Sequence, residues 1–195
     1  QGYSSAASDV YKRQVLGEVY RFDLATRRFS LFYKYPIELA IYGIVRDAGG
    51  NLWVGTSKAG YALTCFTPSG ERKTEFTGPE GEKLHFSSVR CMEEESPGVL
   101  LIGMRSAGLY RFNTHTGELT VFRTSRPEQE MQIPSNYISS ILSIRSGDVW
   151  VSTYGGGIFQ LDKRGGVLRR VTEKEGLMGG DICKLLEGAD GNLWM

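Results

Sequence analysis

An all-β fold is what this sequence predicts, and three observations predict it. Glycine is frequent, with 25 in 195 residues against a usual share of ~7%. Aromatic residues are plentiful, with 3 Trp, 10 Tyr and 9 Phe, and such residues favour strands. A short motif also returns at a period of about 45 residues, the scale of a repeated supersecondary unit. Apolar residues make up 41% and charged residues 23%, an ordinary globular balance. The formal charge is +1, from 23 basic and 22 acidic residues. Nothing in that balance calls for a nucleic-acid or membrane-surface partner.

The motif reads G-G-N-L-W-V-G-T over 49–56. It returns as G-V-L-L-I-G-M over 98–104 and G-D-V-W-V-S-T over 147–153. A last copy, G-N-L-W-M, occupies 191–195, so the repeat stops inside an expected strand. Trp53, Leu101, Trp150 and Trp194 share one repeat position, at spacings of 48, 49 and 44 residues. After a glycine turn comes a second element, G-Y-A-L-T-C-F from Gly60, G-L-Y-R-F-N from Gly108 and G-I-F-Q-L-D from Gly157. It also stands near the start as G-E-V-Y-R-F-D from Gly17. A third, alternating element follows at 29–32, 71–76, 118–122 and 167–171. A fourth precedes each Trp element, at 41–47, 86–93, 138–144 and 182–187.

Each element is short, β-branched or aromatic, and bounded by Gly, Asn, Asp or Pro, which is the signature of strands rather than helices. Four strands per repeat, joined by tight turns, define the blade of a β-propeller. The reading is therefore a partial propeller over 15–195. It has a half blade at 15–33, full blades at about 37–77, 83–123 and 134–172, and a half blade at 181–195. Residues 1–14 fit no strand position and are read as a lead-in foreign to the repeat.

Chemistry is sparse. Cys65, Cys91 and Cys183 show no C-x-x-C spacing and are expected as buried thiols. His85 and His115 are isolated, so neither a metal site nor a cofactor is expected. No nucleophile elbow or phosphate loop occurs, and Glu93-Glu94-Glu95 reads as a solvated edge. No run of residues is apolar enough for a membrane span. No catalytic residue is therefore assigned, and this chain is read as non-enzymatic.

A side chain that recurs in every blade serves packing between blades, the role expected of Trp53, Leu101, Trp150 and Trp194. Gly55 and Gly103 are expected at close approaches and turns. Ligand chemistry belongs where blades differ, on the loops of one rim. With strands lettered a to d from the axis outward, the b–c turns carry Lys58, Arg105, Ser106 and Tyr154. Arg forks onto a carboxylate or sulfate and Tyr stacks on a sugar ring, so an acidic glycan suits these four.

The pairing of G-N-L-W-V-G-T with G-L-Y-R-F-N resembles the two-component regulator propeller repeat, over about 15–195. The Ile41-Tyr42-Gly43-Ile44 and Ile138-Ser139-Ser140-Ile141 segments before the turns fit the same pattern. The second full blade departs from it, with Leu101 for Trp and Met104 for Thr. The resemblance implies the periplasmic sensor region of a hybrid two-component histidine kinase, responding to glycan fragments. It implies as partners the remaining blades of a longer chain, an oligosaccharide ligand and a second copy in a homodimer. Signalling chemistry would lie in other domains. A protein-interaction propeller and a propeller lyase of the streptogramin-lyase kind remain alternatives; His85 is the one histidine near the rim for the latter.

Overall fold

The computed structural model describes residues 17–124, 133–162 and 166–195; the expected lead-in at 1–14 lies outside them. Its strands fall into sheets in chain order. β1 (Glu18–Asp23) and β2 (Arg28–Lys34) make a two-stranded sheet. Three four-stranded antiparallel sheets follow. The first comprises β3 (Ile41–Arg46), β4 (Leu52–Thr56), β5 (Leu63–Phe66) and β6 (Arg72–Lys73). The second comprises β7 (Val89–Ser96), β8 (Val99–Met104), β9 (Leu109–Asn113) and β10 (Leu119–Phe122). The third comprises β11 (Ile138–Ser143), β12 (Val149–Thr153), β13 (Ile158–Leu161) and β14 (Val167–Val171). β15 (Leu186–Glu187) and β16 (Leu193–Trp194) close the order as a second pair.

The first strands β3, β7 and β11 approach one another, so the sheets stand as three full blades around an axis, flanked by two half blades. This is the expected β-propeller architecture. The helical content among the described residues is a single 3₁₀ turn, Glu173–Glu175, closed by a Thr172 capping box.

Alternation along each strand divides the core into layers between blades. Trp53, Leu63 and Cys65 pack with Val89, Met92, Leu100, Ile102 and Phe112 between the first and second full blades. Leu101, Leu109, Ile138, Ile141, Val151 and Phe159 fill the next layer. Val19, Tyr35, Leu39, Val54 and Phe66 join β1 to the first full blade. Trp53 stacks at 5.5 Å on Phe76 and meets Phe112 of the following blade at 6.2 Å. Leu101 is fully buried, Trp150 is half-buried and Trp194 is 62% exposed.

Gly55 and Gly103 sit where the next blade's first strand crosses. A Cβ on Gly55 would lie 2.4 Å from Val89 Cγ1, and one on Gly103 2.4 Å from Cys91 Sγ and 2.6 Å from Ile138 Cγ2. Absence of a side chain lets the blades close. On the other end of the sheets, the second full blade and the last half blade reach back to their predecessors. Glu94 accepts the Ala48 N–H at 2.7 Å, and Glu187 accepts the equivalent Arg145 N–H at 3.1 Å.

Four local readings differ, the first being the strand expected over 71–76, which is a strand only over Arg72–Lys73. The solvated edge expected at Glu93–Glu95 is a set of engaged carboxylates: Glu94 also accepts Gly98 N–H, Glu95 pairs with Arg111, and burial pushes the Glu93 carboxyl up. Strand β15 begins at Leu186 rather than Ile182. The preceding backbone is spent on the third full blade, with Ile182 N–H donating to Thr153 O and Leu185 N–H to Ser140 Oγ. Strand β7 begins at Val89, because the Phe86 ring turns aside to pack on Tyr110 and Phe112.

Candidate ligand-binding site

The b–c turns are pinned to the entry of the first strands by one repeated bond. Ser57, Arg105 and Tyr154 donate their N–H groups to Ala40, Ser88 and Tyr137 carbonyls at 2.9, 2.9 and 3.0 Å. Thr56 and Thr153 hydroxyls hold the same turns through Tyr61 O and Gly157 O, at 3.0 and 2.9 Å. The turns and the a-strand entries thus form one rim.

Arg105 and Tyr154 occupy equivalent places on it, with Ser57 as their counterpart; Lys58 stands one residue later. Lys58, Arg105 and Ser106 are exposed, and their side chains hydrogen-bond to none of the described residues. Tyr154 joins a cluster. Its ring stacks on Tyr137 with centroids 4.7 Å apart and an interplanar angle of 31°. Its hydroxyl shares a 3.4 Å hydrogen bond with Cys183 Sγ, which raises the Tyr154 phenol above its ordinary value. Cys183 is therefore exposed, not buried as the sequence suggested. Cys65 is buried and Cys91 partly so; burial pushes their thiols up to about 11 and about 12, keeping both protonated.

The structure adds residues the turn pattern did not reveal. Each first strand carries a β-bulge at its second residue. Ile41 pairs with Thr56 and Gly43 with Gly55, leaving Tyr42 over; the same slip leaves Arg90 and Ser139 over in β7 and β11. A bulge re-aims its extra side chain out of the ladder. The Arg90 guanidinium lies 4.1 Å from the Tyr42 ring centre and 5.5 Å from that of Tyr137. Ser139 instead turns inward, sharing a 2.9 Å hydrogen bond with Ser152 and donating to Ile182 O. Tyr42, Arg90, Tyr137 and Tyr154 consequently make one row across three blades. Such a row offers ring faces to the C–H side of a sugar and N–H donors to an oxyanion.

One sequence signal could have found this row. One repeat position reads Ile41, Val89, Ile138 and Ile182, whereas the next diverges as Tyr42, Arg90, Ser139 and Cys183. His85 lies elsewhere, lining a cavity of about 150 Å³ beside Leu84, Phe86 and the Lys83–Glu75 ion pair. Among the described residues no group of three His, Cys, Asp or Glu side chains is placed to hold a metal.

Comparison with known proteins accords with this architecture. Residues 36–58 match the family described as two component regulator propeller, and the chain carries this repeat. In structure it is similar to the extracellular domain of a protein described as a hybrid two component system from B. thetaiotaomicron. That likeness has a TM-score of 0.66 at 20% identity, covering 85% of this chain and 21% of that one. It is also similar to PorZ, a surface component of the type-IX secretion system of Porphyromonas gingivalis. There the TM-score is 0.67 at 17% identity, over 92% of this chain and 29% of that one. A streptogramin B lyase gives 0.54 at 18% identity, over 79% and 47%. The chain thus spans well under half of the solved hybrid-system and PorZ chains. These likenesses establish the propeller fold. In sequence, no curated protein matches the chain. No helix among the described residues is long and apolar enough to cross a membrane.

Proposed function

We propose that this chain is part of the extracytoplasmic, periplasmic sensor region of a hybrid two-component system, and that its b–c rim binds a glycan fragment. The observation that carries this reading is the row of aromatic and cationic side chains on the rim of a propeller that has the regulator repeat. Tyr154 and Tyr137 supply ring faces, and Lys58, Arg105 and Ser106 supply donors on neighbouring turns. The segment itself catalyses nothing; binding would be passed to the other blades of the sensor, to a second copy in a homodimer, and on to kinase and phosphorelay domains. The hybrid-system likeness supports the extracytoplasmic location.

Calorimetric titration of the whole protein with oligosaccharides tests the reading. Arg105→Ala and Tyr154→Ala should each weaken binding about tenfold, the order of one lost charge-assisted bond or stacked ring. Their melting temperatures should stay near that of the parent, since both side chains are exposed. Unaltered affinity in both variants would move the site off this rim. Chemical breakdown of the bound ligand would favour a lyase instead.

A further inference from the structure

Taking the rim as the ligand site, we infer that Arg90 is the receptor for an anionic group, a carboxylate or sulfate carried on a saccharide, so that this propeller selects acidic over neutral sugars.

Arg90 is the extra residue of the β7 bulge, a place where the chain gives up ladder regularity to aim one side chain. It is half-buried, and cation–π contacts to Tyr42 and Tyr137 hold it. Those contacts use none of its five N–H donors. The other half-buried arginines of the same blade find acceptors: Arg111 pairs with Glu95, and Arg123 donates to Ala107 O and Tyr110 Oη. Arg90 alone of the three makes no hydrogen bond or ion pair with the described residues. The Glu93 carboxyl, three residues further along the same strand, is directed to Ser143 and Lys184 beyond this blade.

A guanidinium partly withdrawn from water with all its donors open is costly unless an acceptor arrives. The planar fork fits a carboxylate or sulfate in bidentate fashion. Tyr137 lies between Arg90 and Tyr154, so an anion on Arg90 places the attached ring over the tyrosine pair. Neutral sugars would meet the tyrosines and leave the fork empty.

Titration of the whole protein with trigalacturonate, its methyl ester and sodium sulfate separates the possibilities. The ester keeps the rings and removes the charge; sulfate keeps a charge without the rings. Trigalacturonate should bind ten- to hundredfold more tightly than the ester, the range of a charge-assisted bidentate pair. Arg90→Gln should abolish that preference, so that acid and ester bind equally, and Arg90→Lys, which keeps charge without the fork, should retain only part of it. The lysine variant also answers the question should the glutamine variant not fold. Equal binding of acid and ester by the parent protein, or an unchanged preference in Arg90→Gln, overturns the anion receptor while leaving the glycan site standing. Sulfate binding as tightly as trigalacturonate overturns it as a saccharide site. Binding of neither saccharide overturns both this inference and the glycan reading on which it rests.

Discussion

Asp47 is a turn residue that also fixes the core. Its carboxylate accepts Asn51 N–H, Asn51 Nδ2 and the Trp53 indole N–H, each at 2.8 Å. Burial works to raise its pKa, but the bonds from Trp53 and Asn51 outweigh that and hold it below the ordinary aspartate value. A carboxyl depressed in the folded state stabilises fully above its unfolded pKa and loses that contribution as pH falls through the folded value. Asp47→Ala should therefore cost about 1–3 kcal/mol at neutral pH, by orphaning a buried indole donor. Its deficit relative to the parent should shrink in acid below pH ~4, which chemical denaturation across pH would follow. The role of Trp53 in packing is legible from the return of a large apolar residue at its position in each repeat. That Asp47 grips it is not, because the Asp-x-x-x-Asn turn explains the same aspartate without the tryptophan.

Elements were the most legible scale. Glycine turns, alternating apolar residues and the period predicted the order and pairing of strands, since each blade obeys local rules that a sequence displays. What escaped was the bulge in β3, β7 and β11. A bulge adds one residue to one strand only, and two-residue alternation reads the same until the partner strand is known. Hence the strand pattern does not single out Tyr42 and Arg90. The meeting of strands from successive blades makes its own prediction. Gly103→Val should lower stability by about 1–3 kcal/mol through overpacking against Ile138 and Cys91. Glu94→Ala removes a bond to the preceding blade that stands at the surface, so about 1 kcal/mol is expected. Urea denaturation of both variants checks the order; a larger loss for Glu94→Ala than for Gly103→Val would contradict this packing.

Across the whole molecule, the polar rim contrasts with the β1–β2 sheet. Tyr20, Phe29 and Leu31 there are 51%, 73% and 52% exposed, and Phe22 stacks on Phe29 at 4.6 Å. Apolar surface of this kind beside an open strand edge promotes pairing with another chain. Residues 17–195 expressed alone should self-associate as concentration rises, and Phe29→Lys with Leu31→Lys should suppress it in sedimentation experiments. A monodisperse monomer with the parent sequence would indicate that the sheet is covered in some other way. The opposite feature is the rim that blades differ on. Its most direct test is a crystal structure of the whole protein bound to an acidic oligosaccharide. The expected density is a sugar ring against Tyr137 and Tyr154, with its carboxylate within about 3 Å of the Arg90 guanidinium. Saccharide density elsewhere, with the Tyr42–Arg90–Tyr137–Tyr154 row bare, would contradict it.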